Sequence, residues 1–491
     1  MNKIISVCLI LLSFWLFAEY GLGWYQALKA PLAIEYEGPC LWAAYNLSLG
    51  NNIYPAERLL TEPFIATIYT PVYFVLGLPF QKMFGWNLWS LRAISMASFI
   101  VTIYFLWRLF YRSASSKLAA SIGIMSFASY VSIWSWSLKA RVDMASLAFT
   151  AWALDSFHSN LNKERNSIKE CLKDYLPSIV ASTLAIYTKQ PSIIIPACIV
   201  LFLLLKKRFN DAIAYGAGVS SLSLLLFIPI QMITQGGFSS QIQFASHFPF
   251  SVFDMFKHLG WIIADWPKLL FGLASIVILM VTKKNINEAI LPAFLFIISG
   301  AVAAYTLGTM FPNANHAFLF FLFSSWLTAL AFASSVWIAY LVLPACLLST
   351  FITGAMLGHL QKTVASMPET VKILNELKPS LNNKLILVED PTIAMELGAK
   401  PYFVDIATFF QVWSKGISNG NTDEVHVPED FIGGSNAKKF AAIVLNKNDA
   451  AKNVIPFYFW PENVVREIEE NYYRRAEIEA NGETHILYLP K

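Results

Sequence analysis

Two glutamates, Glu35 and Glu37 in the stretch IEYEGP, open a long hydrophilic segment of an otherwise apolar chain. At the exit of an apolar helix a carboxylate can face water and serve as a general base, or stand there as a solvated helix-end anion. Gly38–Pro39 sets a turn directly after Glu37, and Gly50 to Pro55 marks a second, so the pair belongs to a structured loop. Asp143 follows LKAR at the start of a later apolar block, beside Arg141. It reads either as an ion pair closing a helix start or, with the cations around it, as part of a site for an anionic head group. Arg92, at the start of its own block, is a snorkelling head-group anchor or a phosphate grip. Lys189, in the tetrad Thr188-Lys189-Gln190-Pro191 between two short apolar helices, has no charged neighbour in sequence. An ammonium at that depth needs a phosphate or a carboxylate. Asn313, Asn315 and His316 lie in the turn PNANH and are of a type that contacts sugar hydroxyls, although a loop histidine is more often a plain surface residue. His247 and His258, with Asp254 and Asp265, are too dispersed for a metal site to be read from spacing.

These residues must be positioned by what surrounds them, and that is mostly apolar. Of the 491 residues 56% are apolar and 14% charged, against roughly a quarter charged in soluble domains, which excludes a plain soluble enzyme. A net charge of +4, spread over short clusters, argues against nucleic acid as a partner. Five cysteines (Cys8, Cys40, Cys171, Cys198 and Cys346) are scattered and outline neither a disulfide framework nor a metal-ligand spacing.

The opening MNKIISVCLILLSFWLFAEY reads as a retained first helix with a cytoplasmic N-terminus. Further spans are expected at 92–111, 117–134, 143–159, 175–188, 191–205, 211–233, 266–282, 288–309, 317–335 and 337–358, which makes about eleven. The block Phe64 to Phe84 is apolar but carries Pro71, Gly77, Pro79 and Lys82. If it lies in the interface, then Arg108, Arg112 and Lys117, the run from Lys163 to Lys173, Lys206 to Arg208, and Lys283 with Lys284 all share the side of Lys3, as the positive-inside tendency demands. The first loop (about 20–91), the turn at Lys139 to Asp143, the loop at about 234–265 and PNANH then lie outside.

Residues 1–358 are thus expected to form a polytopic helical membrane domain, and residues 359–491 a small extracytoplasmic α/β domain. In the second, KLILVED, PYFVD and FAAIVLN read as strands alternating with the helical stretches ETVKILNELK and TIAMELG, before a last helix and hairpin; that alternation suggests a largely parallel sheet. It reads as an accessory cap over the acceptor side more readily than as an independent catalytic domain.

In their order, several stretches resemble the GT-C glycosyltransferases, the polytopic enzymes that use polyprenyl-phosphate sugars and include protein O-mannosyltransferases and the aminoarabinose transferases of lipid A. These are EGP at 37–39, LSLGNNIYP at 47–55, YTPVYF at 69–74, FG at 84–85 with Arg92 eight residues after Phe84, KARVDMASLAF at 139–149, YTKQP at 187–191, NANH at 313–316 and VEDPTIAMELGAKPYFVD at 388–405. The resemblance implies a GT-C-like fold with interfacial helices in the first outer loop and transfer with inversion, polyprenyl phosphate leaving. It implies a catalytic base at Glu37 or Glu35, with Asp143 as a second carboxylate that orients the acceptor or base. Arg92, Arg141 and Lys189 would grip the donor phosphate, and Tyr69, Gln190, Asn315 and His316 would touch substrate. The chain departs from the family at Thr70–Pro71, where Pro-Pro is usual, and in having glutamates where the first-loop acid is often Asp, so the base stays open between Glu35 and Glu37. The resemblance fixes no cofactor: metal dependence varies in the superfamily, and a divalent ion stays open.

The expected function is a membrane glycosyltransferase acting on a glycan, lipid or protein acceptor at the outer face of the plasma (bacterial inner) membrane. A transporter or flippase of lipid-linked sugars is the alternative from another class, and would show charges lining a path and symmetry between halves. A ligase moving a whole glycan from a polyprenyl-diphosphate carrier is a third.

Overall fold

Helices dominate wherever apolar runs are long, and each expected span is helical in the computed structural model. The structure describes residues 2–165, 167–244, 250–259, 265–309, 313–413, 439–447, 462–480 and 483–491; His247 lies outside them. Six helices are long and apolar enough to cross a bilayer, within Lys3–Lys29, Leu88–Ala114, Phe209–Ile233, Ile286–Leu307, Ala314–Ser334 and Val336–Leu381. A seventh arises if Lys117–Ala128 and Val131–Ser137, bent by 71°, form one broken span. The other expected spans coincide with Val142–Asn160, Ile168–Ile186, Ile194–Leu205 and Trp266–Thr282, which are shorter or more polar. Six or seven clear spans therefore stand where about eleven were expected.

Local chemistry sets the ends of these helices. Asn87 accepts the amide of Ser90 at the start of Leu88–Ala114, and Ser116 accepts that of Ala119 at the start of Lys117–Ala128. The break at Ser129–Tyr130 exposes helix ends to an apolar core, and two charges from one distant helix start satisfy them. Asp265 accepts the amides of Val131 (2.7 Å) and Ser132 (3.1 Å), while the Lys268 ammonium donates to the Ser129 carbonyl. Anion at a helix N-terminus and cation at a C-terminus both suit the helix dipoles.

Two short helices shape the first loop, Gly38–Ser48 and Val72–Phe84. The second has 13 residues and is about 20 Å long, well short of the roughly 30 Å hydrocarbon layer. Phe64 to Phe84 is accordingly part extended chain and part short helix. Its entry is tied to the turn before Lys189: Val72 N donates to Tyr187 O (2.8 Å) and Thr70 Oγ1 to Ile186 O (3.0 Å).

The helix Ala339–Leu381 runs unbroken for 43 residues, about 65 Å, so the expected boundary at 358/359 falls inside it. ETVKILNELK is its continuation and no separate element. The apolar period persists across the change in composition, with Leu357, Leu360, Val364, Met367 and Leu374 all buried.

Beyond it the chain forms strands β1 (Leu385–Val388), β2 (Lys400–Pro401), β3 (Ile443–Asn446), β4 (Tyr472–Ala480) and β5 (Glu483–Pro490), in the order β2-β1-β3-β5-β4. The first three are parallel, while β3 with β5 and β5 with β4 are antiparallel. The sheet is mixed and not largely parallel, because β4 and β5, two residues apart in sequence, can pair only antiparallel. It touches the first loop directly: Phe64 N donates to Tyr402 O (2.8 Å) and Val404 N to Phe64 O (3.0 Å).

Candidate active site

Three consecutive residues after the first helix, Glu35, Tyr36 and Glu37, are each anchored to a different part of the molecule. Glu37 is fully buried against Arg92, equally buried, with Nη2 to Oε2 at 2.6 Å and Nε to Oε1 at 2.9 Å. The remaining Arg92 donors go to the carbonyls of Ala27 (2.6 Å), Ala30 (2.7 Å) and Leu32 (2.8 Å), so all five N–H groups are spent on protein. Glu37 also accepts the amides of Ile34 (2.8 Å) and Ala140 (2.5 Å). The expected grip of Arg92 on a phosphate therefore meets a guanidinium with no free donor, and Glu37, one of the two expected bases, is a carboxylate with every lone pair engaged. The pair is a clamp joining the first helix, the first loop, the Leu88–Ala114 helix and the turn before Val142.

Glu35 points the other way. Nearly half exposed (47%), it pairs with the Lys139 ammonium at 2.5 Å. Lys139 itself lies over the Trp136 ring, 3.8 Å from its centroid. Burial opposes ionisation of Glu35, but Lys139, Arg141 and a hydrogen bond from Asn313 outweigh it and hold the carboxyl below its usual range. Tyr36, between the glutamates, donates its hydroxyl to Asp405 Oδ1 of the C-terminal domain at 2.6 Å.

Asp143 stands in the first turn of Val142–Asn160, where the helix dipole favours a carboxylate. Its Oδ1 accepts Lys189 Nζ (2.6 Å) and Asn315 Nδ2 (2.8 Å), so the residue that needed a counter-charge finds it here. Asp143 Oδ2 is buried and hydrogen-bonds to no described residue; the same holds for Arg141 Nε, 3.9 Å from it, and for Asn315 Oδ1. The Arg141 fork donates to the Tyr36 carbonyl (2.7 Å) and to the Tyr69 hydroxyl (2.7 Å). Gln190 Nε2 donates to the Ile68 carbonyl, which fastens the Lys189 turn to the first loop.

Asp143, Lys189, Asn315 and His316 line a cleft together with Leu147, Ile194, Val302, Phe318 and Leu319 and the hydroxyl residues Ser146, Ser192, Ser299 and Thr306. Ser146 and Ser192 bond to each other at 2.6 Å along it. Of the residues expected at the site, Asp143, Arg141, Lys189, Asn315, His316, Tyr69, Gln190 and Glu35 gather at one end of the bundle with donors or acceptors to spare, and Glu37 and Arg92 lie beside them, closed on each other. Among the described residues no three His, Cys, Asp or Glu side chains are grouped to hold a metal ion.

Known proteins match the chain at two levels, a segment of sequence and the overall fold. Residues 69–233 match the family model of the dolichyl-phosphate-mannose-protein mannosyltransferases. The fold is similar over 97% of both chains, at 12% sequence identity, to ArnT from Cupriavidus metallidurans bound to undecaprenyl phosphate (TM-score 0.64) and to the same protein in the apo state (TM-score 0.63). The chain thus has the fold of these two structures, and its segment 69–233 resembles the mannosyltransferase family. No curated protein matches it in sequence. Sequence reasoning passed over Tyr36 and Asp405, which frame Arg141 from outside the membrane helices. A tyrosine flanked by two structured glutamates was the signal available for the first; nothing local marks Asp405.

Proposed function

We propose that the protein transfers a sugar from a polyprenyl-phosphate donor to a hydroxylated acceptor at the extracytoplasmic face, with inversion at the anomeric carbon. The observation that carries this reading is that one cleft is lined both by charged and polar groups (Asp143, Lys189, Asn315, His316, with the hydroxyls of Ser146, Ser192, Ser299 and Thr306) and by apolar ones (Leu147, Ile194, Val302, Phe318, Leu319). A phosphate joined to an isoprenoid chain offers the same two kinds of surface, and the ArnT structure with undecaprenyl phosphate bound supports the same choice of donor.

In this reading Lys189, which gives one of its three N–H groups to Asp143, and Arg141, with Nε unspent, receive the phosphate and stabilise the negative charge that grows as the bond from the anomeric carbon to the phosphate oxygen breaks. The acceptor hydroxyl attacks the opposite face of that carbon, and a carboxylate takes its proton. Saturation of Glu37 moves the base to Asp143, which lines the cleft and whose Oδ2 accepts no hydrogen bond from a described residue. A specific observation favours Glu35 as a second reading: it is the one of the three carboxylates with substantial solvent exposure, where an acceptor from water would arrive. Tyr69, Gln190, Asn315 and His316 would orient sugar and acceptor. Against a flippase, the charges of the site collect at one end of the bundle and do not line a path across it.

The test is transfer from an undecaprenyl-phosphate sugar by reconstituted protein, read as release of undecaprenyl phosphate. Asp143→Asn should lower turnover by about a thousandfold or more while still binding undecaprenyl phosphate, and Glu35→Gln should cost far less. The opposite ranking would move the base to Glu35, and full activity in both variants would remove the mechanism.

A further inference from the structure

We infer that Asp405 of the C-terminal domain is a positioning residue for the transfer site: it holds Tyr36, and through the Tyr36 carbonyl it fixes the guanidinium of Arg141. The inference rests on the reading of Arg141 as a donor-phosphate grip. It turns the C-terminal domain from a cap into a working part of the site.

The geometry is a relay of short contacts. Asp405, 4% exposed, accepts the Tyr36 hydroxyl at 2.6 Å and the Thr408 amide at 3.0 Å on the same oxygen, so it is fixed to the start of helix Ile406–Trp413. The Tyr36 hydroxyl also accepts the Ala407 amide at 3.1 Å. From the other end of the same residue, the carbonyl accepts Arg141 Nη1 at 2.7 Å. Arg141 Nη2 donates to the Tyr69 hydroxyl at 2.7 Å, and the Tyr69 carbonyl is held in turn by the Tyr54 hydroxyl at 2.8 Å. The fork is thereby held at both tips by first-loop atoms, and Nε is left facing Asp143 without a hydrogen bond among the described residues.

Tyr36 needs an external hold because its φ is 45°, the left-handed region that a large side chain rarely enters. Glu35 and Glu37 on either side are tied to Lys139 of the turn before Val142 and to Arg92 of the Leu88–Ala114 helix, so Tyr36 is held by the C-terminal domain while its neighbours are held by other elements. Released from Asp405, the residue can relax to an ordinary backbone basin, and relaxation turns its carbonyl away from Arg141.

The experiment uses the full-length protein with Tyr36→Phe, Asp405→Ala and Asp405→Asn. Hydrogen exchange is read on peptides covering 34–41 and 139–145, and kcat and KM for sugar transfer are read in parallel. Tyr36→Phe and Asp405→Ala should speed exchange in both peptides and lower kcat by about ten- to a hundredfold, whereas Asp405→Asn, which keeps an acceptor oxygen, should restore both. In an Arg141→Ala background, loss of Asp405 should cost no further kcat. Unchanged exchange over 139–145 in Tyr36→Phe, or losses that add to that of Arg141→Ala, would overturn the inference. Should Asp405→Ala fail to fold, Tyr36→Phe, which removes a single hydroxyl, decides the matter. If the unmodified protein transfers no sugar, the proposed function fails, while the exchange measurement still shows whether Asp405 fixes the Arg141 segment.

Discussion

Replacing Glu37 by Gln separates a clamp from a catalytic base. Glu37 accepts four hydrogen bonds, two from Arg92 and one each from the amides of Ile34 and Ala140. A glutamine keeps one acceptor oxygen and places an NH2 group against donors on the other side, so two of the four are lost. Bonds to a charged group contribute roughly 1.5–3 kcal/mol each, and removing one partner of a buried ion pair costs about 3–5 kcal/mol. Both routes lead to about 4 kcal/mol, roughly three powers of ten in the folding equilibrium. Arg92→Met should cost as much, since it strands a buried carboxylate. The double variant Glu37→Gln, Arg92→Met should regain part of the loss, because no lone charge remains buried. The assay is the thermal midpoint of detergent-purified protein, with transfer measured well below that midpoint. A Glu37→Gln protein as stable as the unmodified one but without turnover would refute the clamp and return Glu37 to the role of base.

Other expectations follow from the same geometry. Lys189→Met should weaken binding of undecaprenyl phosphate at least about tenfold, and Lys189→Arg should retain part of it; equal affinity in all three proteins would remove Lys189 from the donor site. For pH, the sign follows from Glu35, whose folded-state carboxyl is held below its ordinary value of 4.5. Its pairing with Lys139 is therefore complete above 4.5 and is lost only as pH falls through the lower folded-state value. Transfer and stability should show no acid edge from Glu35 above about pH 5, and Lys139→Met should move that edge to higher pH; an unmoved edge would show that the pair does not govern it. Gly38→Ala would set a Cβ 2.3 Å from Asp390 Oδ1 and 2.7 Å from the Pro391 ring. Asp390 cannot swing aside without giving up its bond from Thr392 N (2.8 Å). The substitution should cost about 1–3 kcal/mol and loosen the C-terminal domain from the first loop, seen as faster proteolysis of that domain; unchanged proteolysis would show that the contact is slack.

What could be read from sequence was whatever neighbouring residues decide. Asn87 and Ser116 announce the helices they cap, and the short gap between β4 and β5 announces a hairpin. The break at Ser129–Tyr130 was not legible: the stretch 117–134 reads as one span, and the groups that make the break tolerable, Asp265 and Lys268, come from more than 130 positions away. The long helix escaped for the opposite reason. Its solvent-side composition changes near residue 358 while its buried period does not, and composition is the louder signal. At the site, charges were legible but their states were not. Lys189 demanded an anion, and Asp143 supplies it. Glu37 looked as well placed as Asp143, yet whether a carboxylate can take a proton depends on how many donors already occupy it. For Glu37 and Arg92 the deciding partners include the backbone atoms of Ala27, Ala30, Leu32, Ile34 and Ala140, which any residue type would present. Unspent hydrogen-bonding capacity, and not charge or position in the chain, distinguishes Asp143 from Glu37, and it exists only once the chain has folded.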